Sequence, residues 1–563
     1  MPAAEHPLAR AISEERRLPI WLTHIWQRCL DHDRLGLVLG AGVSRDAGIP
    51  MWEELLERLA KAANVPEQRM ALHKEARFPE TFLAEILFRK HSAAAELATP
   101  KLSSKYRAYH VNSTWKEKIR DCLYEELENK NFDEITRNHI YLKALAKLIC
   151  RARFAVIFNF DDIVDQAVIS HVDETRKASH EATIANPEII YHPKVEIRKN
   201  APVLYHINGT LPWDALRRSS EHVVLTEEAF ADILLSPNSR DAEFVINQFA
   251  VRTFLLLGLS LSDNSLKNIL RSSAKRNPAN HHFIVFHEQE GKRRSVEERA
   301  EIFDVNLKVY NLISIFLLTH EIKAFIEIIN ATSGDEFDKA LQGLVPSKID
   351  RKYYLVGSIA AGKTSVLDHL RCFTTYEEFG GRVPAAMYQN DSTLTPEEQK
   401  VVDDYLFPRL IEKNANMIRM NSGIRITDRA YLDLFAFSRG DTAEILRKAI
   451  ELRTRFKDWG KPMEVGQIFF LRASREALKE RLAQRGAIKV GGGKYRFNAK
   501  TLIQQEKDLI RAYKLIGNDA IDTTDTTPGD TAQNIARTIL LEEYSPFDFS
   551  ARLNEVIKKR GKL

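Results

Sequence analysis

Apolar positions follow two spacings along this chain, and the alternation between them predicts an α/β protein. Short, nearly continuous apolar runs stand at Leu35-Gly-Leu-Val-Leu39, Phe154-Ala-Val-Ile-Phe158, Pro202-Val-Leu-Tyr205, Thr253-Phe-Leu-Leu-Leu257 and His282-Phe-Ile-Val-Phe286. Runs this short, rich in β-branched and aromatic residues, read as strands. Between them the spacing becomes that of amphipathic helices, as in Trp52-Glu-Glu-Leu-Leu-Glu-Arg-Leu-Ala60. Strands separated by helices predict a doubly wound parallel sheet. The pattern divides the chain into an N-terminal helical extension at 1–30, a first domain at 31–345 and a second at 350–563. A helical insertion at 53–148 interrupts the first domain, and 290–345 reads as helical and polar. The strand Tyr353-Tyr-Leu-Val356 opens the second domain, with Gln467-Ile-Phe-Phe-Leu471 and Ile521-Asp522 following. Val345-Pro-Ser-Lys-Ile-Asp-Arg-Lys352 reads as the linker.

Composition narrows the class. A chain of 563 residues exceeds one core, and 44% hydrophobic with 28% charged residues is ordinary for a soluble globular protein. The net charge of 82 − 77 = +5 is spread thinly, with no dense Lys/Arg block, so nucleic acid is not indicated. The four cysteines, Cys29, Cys122, Cys150 and Cys372, are isolated, which gives neither a CxxC zinc pair nor a disulfide framework. Isolated thiols fit a reducing cytosol. Met1–Arg17 lacks the apolar core of a signal peptide, and the longest apolar runs fall short of the ~20 residues of a membrane span. The expectation is a cytoplasmic protein without a membrane partner.

Two strands run straight into glycine-bearing turns. The first reaches Gly40-Ala41-Gly42-Val43-Ser44, where backbone N–H groups can approach a pyrophosphate and a following helix N-terminus adds positive charge. Further motifs follow in order: Gly48-Ile49-Pro50, Asn159-Phe160-Asp161-Asp162, Tyr205-His206-Ile-Asn208-Gly-Thr210 and Gly258-Leu-Ser260-Leu-Ser-Asp263. Over residues 30–290 this ordered set resembles the sirtuin-like NAD-hydrolase family, particularly its bacterial defence-associated branch. The resemblance implies a Rossmann-like sirtuin fold with NAD+ as substrate. It implies NAD contacts at Gly40, Ala41, Gly42, Ser44, Gly48, Ile49 and Pro50, with Asp161 holding the ribose or the loop. Gly258, Ser260 and Asp263 would lie by the adenosine ribose.

The chemistry is coherent with that set. Breaking the nicotinamide–ribose bond leaves an oxocarbenium-like centre that a water must meet. A strand-end Asn carboxamide can orient that water, and a His can act as base near neutral pH. The resemblance gives the first role to Asn159 and the second to His206. Many relatives carry His directly before the glycine, where this chain has Asn208; a variant pattern sets it two residues earlier, which His206 fits. Deacylating sirtuins carry a zinc module of two CxxC pairs. This chain has none, so hydrolysis of free NAD+ is the expected reaction, without zinc.

The second turn, Gly357-Ser-Ile-Ala-Ala-Gly362-Lys363-Thr364, matches the phosphate-loop pattern GxxxxGK[ST] between a strand and a helix. Its backbone cradles phosphates, Lys363 reaches the terminal ones and Thr364 ligates Mg²⁺. Asp428-Arg429, the helix Arg475–Gly486 and Ile521-Asp522 complete a resemblance to deoxynucleoside and thymidylate-type nucleoside-monophosphate kinases over residues 350–545. That resemblance implies ATP or another (deoxy)nucleotide on Gly357, Gly362, Lys363, Thr364 and Ser365. Asp428 and Arg429 would face the phosphate acceptor, Arg481 and Arg485 would be lid arginines, and Gly491–Gly493 with Lys489 and Lys494 the lid tip. Together the two halves suggest an NAD+ glycohydrolase acting as an antiphage abortive-infection effector. A nucleotide or phage-derived trigger sensed by the kinase-like half would control it, within a homo- or hetero-oligomer or alongside separately encoded defence proteins. The alternative is an active nucleoside or nucleotide kinase with an NAD-binding regulatory domain.

Overall fold

The computed structural model describes residues 6–31, 34–66, 68–69, 71, 75–76, 78–127, 130–179, 185–191, 200–217, 219–220, 223–229, 240–377, 384, 395–418, 422–438, 440–486, 499–515 and 520–563. The chain forms two compact units. The first comprises residues 1–18, 25–276 and 281–332; the second comprises 19–24, 277–280 and 333–563. Among the described residues no helix is long and apolar enough to cross a membrane.

The first unit is built on seven parallel strands: β1 (Leu35–Leu39), β2 (Phe154–Ile157), β3 (Glu188–Ile190), β4 (Val203–His206), β5 (Thr253–Leu257), β6 (His282–Glu288) and β7 (Leu312–Leu318). Their order across the sheet is β3-β4-β2-β1-β5-β6-β7. Every residue of β1, β2, β4 and β5 is buried, as a parallel sheet covered on both faces requires. This is the Rossmann-like α/β arrangement that the apolar runs predicted. β7 is a departure: Leu-Ile-Ser-Ile-Phe-Leu-Leu lies in a stretch read from sequence as helical and polar. The polar helix Val296–Tyr310 before the run and the helix Thr319–Ile329 directly after it hid a strand that is almost wholly buried. The insertion consists of helices at Trp52–Ala62, Glu80–Ala98, Ser104–Tyr124, Phe132–Asn138 and Leu142–Ala152.

The second unit carries five parallel strands: β8 (Asp350–Val356), β9 (Thr374–Tyr376), β10 (Gly423–Asp428), β11 (Gln467–Arg472) and β12 (Ala520–Asp522), in the order β12-β11-β8-β10-β9. Asp350-Arg-Lys352, read as linker, is already β8. β10 escaped the sequence reading because Gly-Ile-Arg-Ile-Thr-Asp mixes charge into a strand that is buried throughout. Arg425 within it pairs with Asp350 of β8.

In each unit the chain order reverses at the strand that precedes the glycine turn. β1 has β2 on one side and β5 on the other; β8 has β10 and β11. In the first unit the turns after β1 and β5 are packed backbone against backbone. The Gly40 N–H donates to the Leu257 carbonyl and the Gly42 N–H to the Gly258 carbonyl, both at 3.0 Å. A Cβ on Gly42 would lie 2.9 Å from the Gly258 Cα, and one on Gly258 would lie 2.5 Å from the Val43 nitrogen. Gly258 also has φ +69°, in the left-handed region that L side chains avoid. Gly258→Ala therefore lowers stability by about 2–4 kcal/mol in urea unfolding, as clash adds to strain. Gly291→Ala, at φ +78° with nothing within 4 Å, shows the strain alone, about 1–2 kcal/mol. Equal losses would contradict the close-approach account.

Candidate functional site

Parallel strands end on the same edge of a sheet, so motifs far apart in sequence meet there. In the first unit β1 leads into Gly40–Ser44, β2 into Asn159–Asp165, β4 ends at His206 and β5 leads into Gly258–Asp263. The carboxyl edge beside a chain-order reversal is where open α/β sheets bind ligands.

Asn159 sits where these ends converge, and it is buried. Its Nδ2 donates to the Ser44 Oγ at 3.2 Å, and that hydroxyl donates to Asp161 Oδ1 at 2.8 Å. The Ile163 N–H also donates to Asp161, at 3.2 Å. The Asn159 Oδ1 is buried without a hydrogen-bond partner. A spare acceptor fits a ribose hydroxyl or a water, the groups that NAD+ cleavage presents. Burial pushes the Asp161 carboxyl up to about 6, although the Ser44 hydroxyl and the Ile163 N–H pull it down.

His206 is sealed, with no exposed surface. Its Nδ1 lies 3.3 Å from the Asn159 carbonyl oxygen, and its Nε2 lies 3.0 and 3.1 Å from the two carboxylate oxygens of Asp165. A carbonyl only accepts, so Nδ1 is the donor there, while Nε2 faces the Asp165 carboxyl. Burial alone would lower the imidazole pKa, but the charge and hydrogen bond of Asp165 outweigh it and raise it. His206 and Asp165 thus form a buried pair. Both ring nitrogens therefore have neighbours within the fold, and His206 braces the Asn159 main chain. Asn208 donates from Nδ2 to the Phe158 carbonyl at 3.1 Å, which ties β4 to β2.

Other expected NAD contacts divide. Ser44 and Asp161 lie at the centre, whereas Ser260 is exposed and bonded to Ser262 at 2.8 Å. Asp263 caps the helix Asn264–Arg276, accepting from the Ser265 and Leu266 N–H groups at 2.7 and 3.0 Å. The turn after β1 runs into 3-10 turns at Ala41–Val43 and Arg45–Ala47, so no α-helix N-terminus follows it; the next helix opens at Trp52. Gly48, at φ +98°, ends the second of these turns, and Ile49 and Pro50 are buried behind it. Sequence reasoning missed Asp165, whose signal is its place one turn past Asp161-Asp162 at the opening of the helix Ile163–Ser179. It also gave no role to Asp162, whose Oδ1 lies 3.0 Å from both the Tyr124 hydroxyl and the Trp213 nitrogen, so that the insertion is fastened to the site.

In the second unit the loop after β8 is a tightly packed glycine-bearing turn. A Cβ on Gly357 would meet the Leu471 carbonyl oxygen, and Ala360 and Gly362 have φ +67° and +97°. Lys363 is buried, its Nζ donating to the Gly357 and Ser358 carbonyls at 2.9 and 3.0 Å. The Thr364 hydroxyl donates to Asp428 Oδ2 at 3.0 Å, while Asp428 Oδ1 is buried without a hydrogen-bond partner. A hydroxyl beside a carboxylate with an oxygen to spare suits a hard divalent cation. Thr364 and Asp428 would hold Mg²⁺, which would neutralise charge on bound phosphates. Asp428 thus faces Thr364 at the start of the helix Lys363–His369.

Arg429, at φ +66°, turns instead towards Asp433, 3.7 Å away, and lies over the Phe437 ring. Burial pushes Asp433 up to about 6, against the pull of Arg429 and of the Tyr513 hydroxyl, which donates to it at 2.6 Å. Lys413, also unforeseen, is buried and donates from Nζ to the Asp428 carbonyl. Arg481 reaches the loop, donating to the Ala360 carbonyl at 3.2 Å and to the Thr523 hydroxyl at 3.1 Å. A cavity of about 350 Å³ lined by Gly362, Ser365, Arg481, Thr523, Thr526 and Pro528 adjoins it, large enough for part of a nucleotide. The Arg485 side chain, Lys489, Gly491–Gly493 and Lys494 lie outside the described residues.

Residues 155–310 match the SIR2-like domain family. The matched segment starts in β2, ends with the helix Val296–Tyr310 and contains Asn159, His206 and Gly258. The Gly40 turn precedes it. No curated protein matches the chain. Among solved structures, the tunicamycin resistance protein of Deinococcus radiodurans is similar at 16% identity, over 35% of this chain and 99% of that chain, with a TM-score of 0.21.

Two stability predictions come from the buried charges. Asp165→Ala breaks the buried His206–Asp165 pair and costs about 3–5 kcal/mol in urea unfolding. Asp173→Ala, on the same helix but half exposed and 3.7 Å from Arg176, costs under about 1 kcal/mol. Matching losses would contradict a buried pair. Asp161 is raised from 3.8 to about 6, so the folded chain binds more protons than the unfolded one within that window. Its contribution is present below about pH 4 and lost as pH rises through about 6. Asp161→Asn therefore shows a smaller fall in the urea midpoint over that range than the native protein, and an unchanged fall would contradict the assignment.

Proposed function

We propose that the SIR2-like domain hydrolyses NAD+ to ADP-ribose and nicotinamide, and that a nucleotide at the phosphate loop controls it. The observation that carries this reading is the Asn159 carboxamide. It is anchored through Nδ2 and keeps a buried, unpartnered Oδ1 at the carboxyl edge of the chain-order reversal. The nicotinamide–ribose bond breaks with its electron pair leaving on nicotinamide. The cationic ribose carbon takes a water oxygen, and the water's surplus proton passes to solvent. Asn159 Oδ1 accepts a hydrogen bond from that water or from a ribose hydroxyl and so fixes the face of attack. Because the water adds to a cation, a strong base is not required, which accommodates a His206 with both nitrogens engaged.

An NAD+ hydrolase without restraint would drain the cell's cofactor pool, so a control element is needed. The loop Gly357–Thr364, with Asp428 and Arg481 against it, is the candidate. Its ligand would have to favour the active state. In a cytoplasmic antiphage role, a nucleotide altered by infection would be the trigger, acting through an oligomer or a separately encoded partner. The second reading, a nucleoside or nucleotide kinase with an NAD-binding regulator, is favoured by the Thr364–Asp428 pair, since a sensor needs no metal site of that completeness.

Both readings meet in one assay of NAD+ consumption and phosphoryl transfer, with a panel of (deoxy)nucleoside mono- and triphosphates. The native protein consumes NAD+ with at least one nucleotide. Asn159→Ala reduces the rate about 100-fold or more, and Lys363→Ala removes the nucleotide dependence. Equal residual NAD+ for native and Asn159→Ala protein under every condition overturns the hydrolase reading. Phosphoryl transfer lost in Lys363→Ala, without NAD+ consumption, would establish the kinase.

A further inference from the structure

Within the hydrolase reading, which this step rests on, we infer that Ser44, Asp161, Asp165 and His206 are positioning residues that hold Asn159 from two sides and fix which end of its carboxamide faces the substrate. A primary amide is nearly symmetric in shape but not in chemistry: one end donates and the other accepts. Turned over, Asn159 would offer two N–H donors where the water or the ribose hydroxyl needs an acceptor.

The first arm reads the amide. Ser44 has one hydroxyl proton, and it goes to Asp161 at 2.8 Å. What Ser44 has left for Asn159 is lone pairs, so the side that faces it must be Nδ2, at 3.2 Å. Oδ1 is thereby directed away and is the atom without a partner. The second arm reads the main chain. The Nδ1–H of His206 meets the Asn159 carbonyl at 3.3 Å, and Asp165 fixes the imidazole from the other side at 3.0 Å. Each arm starts on a carboxylate, both within eight residues of β2, and crosses to another strand end: Ser44 after β1 and His206 on β4. Asn159, Asp161, Asp165, Ser44 and His206 are all buried, so water does not compete for these bonds.

The test uses the full chain with NAD+ as the probe, in the nucleotide condition that supports turnover. Ser44→Ala removes the acceptor for Nδ2, and Asp165→Asn keeps the shape of the second arm but removes its charge. Each lowers kcat about 10- to 100-fold and leaves the calorimetric Kd for NAD+ within about threefold, because the amide turns without leaving the site. Ser44→Thr, which restores a hydroxyl, recovers most of kcat. Native kcat in both Ser44→Ala and Asp165→Asn, or losses confined to Kd, overturns the inference. If Asn159→Ala consumes NAD+ like the native protein, the hydrolase reading itself has failed. A readout independent of turnover completes the set, using protein labelled with ¹⁵N at asparagine. The Asn159 side-chain amide protons are slow to exchange in the native protein and fast in Ser44→Ala. Equal exchange in the two overturns the two-armed clamp.

Discussion

Parallel pairing of β1 with β2 on one side and β5 on the other is the constraint on which the rest of the first unit depends. It brings chain ends more than two hundred residues apart, Gly40 and Gly258, to one edge. The two turns then approach so closely that neither glycine tolerates a side chain. Their backbone amides are consumed in holding that approach. The Gly-x-Gly motif in this chain is thus first a device for packing two turns.

Within that edge the acids of Asn159–Asp165 do different work despite their closeness. Asp161 faces the β1 turn, Asp162 the helical insertion and the segment after β4, and Asp165 the imidazole of β4. One short segment therefore fastens three parts of the unit. Buried carboxylates carry a desolvation cost that only well-directed donors offset, and each of the three has them. The arrangement spends stability on a fixed geometry, a common feature of sites that hold a reacting group in place.

Much of this was legible in the chain. Strands such as Leu35–Leu39 and Thr253–Leu257 are uniformly apolar between turn signals, and the glycine-bearing turns at Gly40 and Gly357 each follow a strand as their spacing predicts. β7 and β10 were not legible. The first is an apolar run directly between two helices, and the second hides a buried arginine whose partner, Asp350, is seventy-five residues away. Roles were harder still. His206 and Asp428 could be singled out by type and position, but their duties depend on Asp165 and Thr364, which only the folded chain brings to them. A histidine with a carboxylate on one nitrogen and a carbonyl on the other is a different reagent from a histidine facing a cleft.

The central claim is that NAD+ is cut between nicotinamide and ribose at the Asn159 edge. Chromatography of the products formed from NAD+ by the purified full chain, in its activating nucleotide condition, tests this most directly. The account predicts nicotinamide and ADP-ribose in equal amounts, both absent with Asn159→Ala. AMP with nicotinamide mononucleotide, the products of cleavage at the pyrophosphate, or equal product from Asn159→Ala, would contradict it.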